Sequence, residues 1–158
     1  MDFTPFMLTA LPEPYAMINR LRRAHFSMTA HTHRFWQLIL VTDGALTVST
    51  AAGAQTIAAG QVHILPPGPA HALASDGYTQ LGLDLTDDDP RGLVRMLAAR
   101  FAGPAVLAVG QLQLDAEMAA LWAQSTDWAR AQLIHRADGL LLACIAARTA
   151  ARGDGALL

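Results

Sequence analysis

Between residues 15 and 85, turn-forming residues recur so closely that the segments between them have room for strands but not for long helices. Asp43-Gly44 and Asp76-Gly77 predict hairpin turns, because glycine adopts a positive φ at no steric cost. Gly53 and Gly60 mark two further turns. Many short strands at close, regular spacing predict a mainly β fold of the sandwich or barrel type. The predicted strands are Tyr15–Leu21, His25–Met28, His31–Val41, Ala45–Thr50, Gln55–Ile57, Val62–Leu65, His71–Leu73 and Tyr78–Leu85.

The pattern changes from strands to helices near residue 86. Asp87-Asp88-Asp89-Pro90 is a helix-entry signal, since acidic side chains favour a helix N-terminus and proline suits its first turn. A short helix is predicted at residues 91–101, and Ala105–Val109 is a further candidate strand. Ser125-Thr126-Asp127 caps a last helix that runs to about Ala151. It follows a helical stripe formed by Leu114, Met118, Leu121, Trp122 and Ser125.

These elements predict one domain with four parts. Residues 1–14 form an N-terminal arm in which three prolines break any regular element. Residues 15–110 form a barrel that includes the short helix, and residues 111–152 form a helical segment. Residues 153–158 are a flexible tail. A length of 158 residues with 53% hydrophobic residues suits a single core.

The last predicted helix is apolar on nearly all sides. Such a helix is usually buried all round, whereas one barrel in a chain this short covers only one side. We therefore expect residues 111–152 to pair two copies of the chain as a homodimer. The apolar face consists of Leu133, Ile134, Ala137, Leu140, Leu141, Cys144 and Ile145, and Leu142, Ala143, Ala146 and Ala147 extend it.

Composition argues against several functional classes. The net charge is −2 and the chain has no lysine, whereas a free-standing nucleic-acid binder usually carries a basic stripe. Arg20, Arg22 and Arg23 share one predicted strand and are better explained as solubilising an edge strand. Cys144 is the only cysteine, so no internal disulfide forms. No signal-peptide layout or membrane-length apolar run is present, so we expect a cytoplasmic location and no membrane partner.

The longest predicted strand carries side chains that converge on one ligand. Side chains alternate faces along a strand, so His31, His33 and Gln37 share one face. Two histidines two residues apart let both imidazoles approach one ion, and a third group nearby completes the set. Downstream, Pro66-Pro67-Gly68-Pro69 makes a rigid turn that delivers His71 to the start of another strand.

These residues resemble the two cupin motifs, G-x5-HxH-x3,4-E-x6-G and G-x5-PxG-x2-H-x3-N. His31-Thr32-His33, Gln37 and Gly44 stand at the HxH, acid and final glycine positions of the first motif. The resemblance implies a cupin-type barrel (a double-stranded β-helix or jelly roll) followed by C-terminal α-helices. It also implies that a divalent metal is held inside the barrel by His31, His33, Gln37 and His71. The second motif is followed by Gly60, Pro66, Gly68 and His71.

The chain departs from these motifs at three positions. Gln37 replaces the acid, His25 stands at the opening glycine and Ser75 at the final asparagine. Three histidines can still hold zinc, iron, nickel or manganese, with the carbonyl oxygen of Gln37 as a fourth ligand. Equally, the same four side chains can hydrogen-bond a polar ligand without any metal. Both alternatives remain open from the sequence.

A looser resemblance covers nearly the whole chain. The proline-broken arm, the barrel and the following helices resemble the N-terminal effector-binding and dimerisation domain of AraC-type transcription regulators. It implies a small-molecule effector, a homodimer through the C-terminal helices, and DNA contact only through a helix-turn-helix domain that this chain does not include. The alternative is a free-standing metal-dependent cupin enzyme, such as a dioxygenase, isomerase or lyase.

Further residues are candidates for the pocket. Trp36 and Tyr78 are predicted to line it together with the motif residues, and Arg20, Arg22 and His25 are candidates for its mouth. Their strand faces depend on a register that can slip by one residue.

No catalytic residue is assigned from the sequence. Asp84 lies on a strand whose inward face is undecided, and the first motif strand carries no inward carboxylate. His63 and His135 have no partner at ligand spacing and are predicted to be structural or exposed.

Overall fold

The computed structural model describes residues 3–151, which form an eight-stranded sheet, curled into a barrel, and three helices. The fold is therefore mainly β with C-terminal helices, as predicted. The strands are β1 (Phe6–Leu8), β2 (Tyr15–Arg23), β3 (Phe26–His31), β4 (Trp36–Thr50), β5 (Gly53–Ala58), β6 (Gln61–Leu65), β7 (His71–Leu85) and β8 (Ala105–Ala108). The helices are α1 (Leu93–Arg100), α2 (Gln113–Gln124) and α3 (Asp127–Ala151).

Two strands of 15 residues each, β4 and β7, run through both layers of the barrel. In the first layer, the second half of β7 lies between β2 and the first half of β4, and the strand order is β1-β2-β7-β4-β6-β8. In the second layer, the first half of β7 pairs with β3 and with the second half of β4, which also pairs with β5. This antiparallel arrangement is a jelly-roll barrel.

The predicted hairpins at Gly44 and Gly77 are wrong. Both glycines lie inside the long strands and next to each other, because Ala45 pairs with Gly77 and Gly44 pairs with Tyr78. Their φ angles are 73° and 150°, and the pairing register shifts on both sides of the crossing. The positive φ therefore serves a β-bulge that bends each strand from one layer to the other.

Alternating side chains give the barrel an inner and an outer core. The inner core faces the barrel interior and contains Ile39, Val41, Leu46, Val48, Ile57, Leu73 and Tyr78. The outer core lies between the first layer and the helices, and its β-strand members include Ile18, Trp36, Leu38, Leu40, Val62, Ile64, Leu81, Leu83 and Leu85. The predicted alternation of β4 between residues 36 and 41 is therefore correct.

The helices cover the outer side of the first layer. Helix α3 contributes Leu133, Leu140 and Leu141 to the outer core. A buried ion pair fixes α2, since Arg20 donates from Nε and Nη2 to the Asp115 carboxylate at 2.7 Å each. Arg20 is 7% exposed, so it is an anchor for a helix and neither solubilises an edge strand nor lines the pocket mouth.

The N-terminal arm contains a regular element that its prolines did not predict. Strand β1 pairs with β2, with Phe6 opposite Arg20. The Phe6 ring stacks on Trp122 of α2 with 5.2 Å between ring centroids. Arg130 of α3 donates to the carbonyl oxygens of Thr9 and Ala10 at 2.9 and 2.8 Å. The arm is therefore attached to both the barrel and the helices.

Several predicted boundaries differ from the observed ones. The predicted strand His31–Val41 is interrupted at residues 32–35, because β3 ends at His31 and β4 begins at Trp36. The predicted helix at residues 91–101 is shorter, at Leu93–Arg100. The predicted flexible tail at residues 153–158 lies outside the described residues. Within residues 3–151, none of the helices combines the length and apolar character that a membrane span requires.

Candidate functional site

Three histidines converge where β3, β4 and β7 meet. His31 ends β3 and pairs directly with His71, the first residue of β7. His33 lies in the loop between β3 and β4. Gly68, in the proline-rich turn before β7, donates its N–H to the His33 carbonyl oxygen at 3.1 Å. The turn therefore holds the two motif segments together, and the interruption of the predicted strand does not separate the histidines.

Backbone carbonyls determine which nitrogen of each imidazole is free. Nδ1 lies 2.9 Å from the Thr29 oxygen in His31, 3.2 Å from the Phe35 oxygen in His33 and 3.2 Å from the Pro69 oxygen in His71. A carbonyl oxygen only accepts, so Nδ1 carries the proton and donates in each ring. In the neutral form of each ring, Nε2 then carries a lone pair, as a metal ligand requires.

The three rings form a group of ligands suited to one divalent ion. One nitrogen from each of His31, His33 and His71 lies within 4.8 Å of the others. The Nε2 atoms of His33 and His71 are buried, and within residues 3–151 they have no hydrogen-bond partner. A buried lone pair without a partner carries a free-energy cost, which metal coordination would remove. The donor set therefore fits a metal such as zinc, iron, nickel or manganese.

Burial also keeps histidines of the interior neutral. His71 is 1% exposed, and burial lowers its pKa despite the hydrogen bond to Pro69, with a further lowering from His31 and His33. His63 on β6 is 2% exposed, and burial with some repulsion from His71 lowers its pKa to about 4. His63 was predicted to be structural or exposed, and the structure shows it buried beside Ile39 of the neighbouring strand.

A cavity of about 390 Å³ extends from the histidines along the inner face of β7. The inward residues of the second half of β7 are polar or small, while the intervening leucines belong to the outer core. Polar lining comes from Asn19, Arg23, His31, Thr32, His33, Gln37, Tyr78, Gln80 and Asp84. Apolar lining comes from Met7, Met17, Leu21, Met28, Phe35, Ile39 and Leu73. Such a mixture suits a small molecule with both polar and apolar parts.

A continuous row of hydrogen bonds forms one wall of this cavity. The Tyr78 hydroxyl donates to Gln80 Oε1 at 2.6 Å, and Gln80 Nε2 donates to Asn19 Oδ1 at 2.9 Å. Gly82 leaves room for the row, because a Cβ at that position would lie 2.7 Å from Asn19 Oδ1 and 2.9 Å from Gln80 Nε2. The row leaves further amide N–H groups of Gln80 and Asn19 for a ligand.

A carboxylate that the motif comparison did not predict lies beside Gln37. Asp84 is opposite Gln37 in the pairing of β4 and β7, and Gln37 Nε2 donates to Asp84 Oδ1 at 3.3 Å. Asp84 is 9% exposed, and burial raises its pKa although Gln37 and His33 act in the opposite direction. The alternation Tyr78, Gln80, Gly82, Asp84 against three leucines is the sequence signal that would have found this wall.

The other residues predicted for the pocket or its mouth do not all line the cavity. Tyr78 lines the cavity, whereas Trp36 belongs to the outer core under the helices. His25 is exposed, with Nδ1 3.4 Å from the Asp76 carboxylate. Arg22 donates to Thr79 Oγ1 at 3.3 Å. His135 is exposed on α3.

Residues 14–90 match the family model described as AraC-like ligand binding domain. This stretch is therefore similar to an AraC-like ligand-binding domain. The matched residues span β2 to β7 and so contain the three histidines, Gln37 and the whole polar wall. No curated protein shows significant similarity to this sequence.

Several solved structures are similar to parts of this chain at low sequence identity. The protein YhaK from Escherichia coli is 16% identical, with a TM-score of 0.50 over 66% of this chain and 51% of that one. A cupin superfamily protein from Desulfitobacterium hafniense is 16% identical, with a TM-score of 0.46 over 55% and 82%. An RmlC-like cupin from Shewanella frigidimarina is 18% identical, with a TM-score of 0.46 over 54% and 77%.

Proposed function

We propose that this chain is the effector-binding and dimerisation part of an AraC-type transcription regulator that acts in the cytoplasm. The barrel cavity binds a small molecule, and the C-terminal helices pair two copies. DNA contact belongs to a separate helix-turn-helix domain and not to this chain. The family match over residues 14–90 supports the ligand-binding part of the proposal.

One observation carries the proposal, namely the cavity of about 390 Å³ with its polar wall. A barrel whose interior served only stability would be filled by apolar side chains. Instead, Asn19, Tyr78 and Gln80 are each at most 6% exposed and satisfy one another in a row. Buried polar groups are costly unless they are paired, and this row keeps spare donors for a ligand.

The three histidines add a divalent ion to this proposal. His31, His33 and His71 would hold the ion through Nε2, and the carbonyl oxygen of Gln37 would be the fourth ligand. A bound ion supplies Lewis-acid chemistry and attracts an anionic or electron-rich group of the effector. The backbone carbonyls of Thr29, Phe35 and Pro69 orient the rings whether or not the ion is bound.

Helix α3 supports the dimerisation part of the proposal. Its exposed residues follow the helical repeat and include no charged side chain between positions 128 and 146. Glycine and alanine at three of these positions allow two backbones to approach closely. Trp128 and Leu142 are 72% and 48% exposed and gain most from being covered. The exposed stripe consists of Trp128, Ala131, His135, Gly139, Leu142 and Ala146.

Effector binding is tested by thermal unfolding in the presence of a defined panel of sugars, mono- and dicarboxylates, aromatic acids and amino acids. At least one class should raise the melting temperature of the native chain, because a ligand that binds only the folded state stabilises it. Leu21→Trp fills the cavity and should abolish the shift. Leu112→Trp makes the same change at an exposed site and should keep it. Equal shifts in both variants would contradict binding in this cavity.

A metal-dependent cupin enzyme is the second candidate, and one observation favours it. Asp84 places a buried carboxyl group on the cavity wall, where a general acid or base would be needed. Turnover of any compound that binds, measured by product analysis with Zn²⁺, Fe²⁺, Ni²⁺ or Mn²⁺ added, tests this candidate. Turnover lost in Asp84→Asn would support the enzyme, whereas binding without turnover supports the sensor.

A further inference from the structure

The side-chain amide of Gln37 has two chemically different ends. Its carbonyl oxygen is a metal ligand, and its NH₂ group is a donor that binds no metal. One ring nitrogen from each of three histidines lies within 4.8 Å of the others, and Gln37 lines the same cavity as His31 and His33. As acceptors, free ring nitrogens would attract the NH₂ end in the metal-free protein. The amide therefore has a competing orientation that would block its use as a ligand.

Asp84 selects between these orientations. It is the direct cross-strand neighbour of Gln37, and Gln37 Nε2 donates to its Oδ1 at 3.3 Å. An ionised carboxylate has four acceptor sites and no donor, so only the NH₂ end of the amide can face it. This contact leaves the lone pairs of Gln37 Oε1 free of Asp84.

The surroundings of Asp84 strengthen this selection. Its side chain is buried, and within residues 3–151 it has no ion-pair partner among the arginines. Hydrogen bonds to an ionised acceptor are stronger than those between neutral groups. The carboxylate also lies close enough to His33 to interact with it electrostatically.

We infer that Asp84 is a positioning residue that turns the Gln37 amide so that its carbonyl oxygen serves the three-histidine site. The first cupin motif has its carboxylate at the position of Gln37. In this chain the carboxylate stands instead on the paired strand, at Asp84, and acts through Gln37. This inference rests on the metal part of the proposed function.

The test is a double-mutant cycle read by Co²⁺ and Zn²⁺ binding to the metal-free full chain. Asp84→Asn preserves size but offers either end of an amide to Gln37, so it should weaken metal binding about 10- to 100-fold. Gln37→Met removes the ligand oxygen and should weaken binding to a similar extent. Asp84→Asn in the Gln37→Met background should then change affinity less than about threefold, since the effect of Asp84 passes through Gln37.

A second variant moves the charge back to the motif position. Gln37→Glu with Asp84→Asn places the carboxylate on β4 and an amide on β7, and it should bind Co²⁺ at least as tightly as the native chain. The visible absorption of Co²⁺ reports a lost ligand in Asp84→Asn and its return in this double variant. Thermal unfolding of each metal-free variant controls for damage to the fold.

The possible results of these binding experiments distinguish a failure of the inference about Asp84 from a failure of the metal site. If the native chain binds metal through His31 and His33 and Asp84→Asn binds it with unchanged affinity, the inference about Asp84 is wrong and the metal site itself stands. An equal loss from Asp84→Asn in the native and Gln37→Met backgrounds would show that Asp84 acts by charge alone, which also overturns it. Native chain that binds neither Co²⁺ nor Zn²⁺ would overturn the site and the inference together.

Discussion

At the scale of single residues, backbone hydrogen bonds and burial act on different properties of the interior histidines. Hydrogen bonds from Nδ1 to backbone carbonyls hold the rings of His31, His33 and His71 in one tautomer. Burial lowers the pKa of His63 and His71. Neutral imidazoles are the form that coordinates metals, which is the form that the proposed site requires.

Removing two ligands should abolish metal-dependent stabilisation. In the native chain, Zn²⁺ at about 100 times its dissociation constant should add about 2.7 kcal/mol to the free energy of unfolding, because it binds only the folded state. The double variant His31→Ala, His33→Ala should lose this gain. His25→Ala changes an exposed histidine outside the group and should retain it. Thermal unfolding with and without Zn²⁺, together with elemental analysis, measures both effects, and a gain that survives in the double variant would refute this ligand set.

His63 should make the fold sensitive to acid. Its pKa is about 6.5 in the unfolded chain and about 4 in the fold, so below pH 6.5 the unfolded chain binds the extra proton. The free energy of unfolding should therefore fall by about 3 kcal/mol as the pH drops from about 7 to about 4. In His63→Leu this part of the fall in the free energy of unfolding should disappear, whereas in His135→Leu it should remain. Urea unfolding across this pH range provides the measurement, and identical slopes in the two variants would contradict the assignment.

Residue spacing was enough to predict the histidines but not their neighbours. His31, His33 and His71 follow the cupin motifs, and the structure brings them together. The partnership of Gln37 with Asp84 depends on the register of two strands 47 residues apart in sequence, which no local pattern determines. Trp36 was misassigned because it was added to the pocket although it lies on the face of β4 opposite Gln37.

At the scale of elements, the crossing of β4 and β7 determines the shape of the barrel. Each strand bends at a glycine, and the two backbones approach so closely there that a Cβ on Gly44 would collide with the Gly77 carbonyl oxygen. The sequence signal of aspartate followed by glycine is the same for a hairpin and for a bulge. Only the pairing of distant segments distinguishes the two. The positions of the strand residues were therefore predicted well, whereas the continuity of β4 through Gly44 and of β7 through Gly77 was not.

Gly44→Ala should be strongly destabilising. The substitution places a Cβ against the Gly77 carbonyl and forces alanine to adopt a φ of 73°. Together, overpacking and the left-handed backbone should cost about 2–4 kcal/mol of the free energy of unfolding. Gly103→Ala introduces the same side chain where no atom lies within 4 Å and should change stability by less than about 0.5 kcal/mol. Chemical denaturation of both variants checks the contrast, and a similar cost at both sites would contradict the packed crossing.

At the scale of the whole molecule, polar anchors join the barrel to the helices. Arg20 binds Asp115 of α2, and Tyr15 donates to Asp138 of α3, which also accepts two hydrogen bonds from Arg91. Burial alone would raise the pKa of Asp138, but the Arg91 and Tyr15 hydrogen bonds outweigh it and lower the pKa. Together with the outer core, these contacts hold the helices in one orientation relative to the cavity.

Gly139→Glu should separate the proposed dimer without harming the fold. Gly139 lies on the exposed stripe of α3 with no atom within 4 Å of its Cβ direction, so a charged side chain there should prevent two helices from packing. Gly139→Ala is the control, because it improves helix propensity by about 1 kcal/mol and stays small. Sedimentation equilibrium should give a dimer for the native chain and for Gly139→Ala, and a monomer for Gly139→Glu. A dimer in all three would place the interface elsewhere.

The continuity of β4 and β7 through both layers has a consequence for how the barrel opens. The two layers are coupled, since β4 and β7 contribute to the hydrogen-bond ladders of both. Amide protons on both sides of Gly44 and Gly77 should therefore exchange with solvent at a common slow rate, set by global unfolding. The short arm strand β1 and the loop at residues 32–35 lie outside these two strands, although Met7, Thr32, His33 and Phe35 also line the cavity.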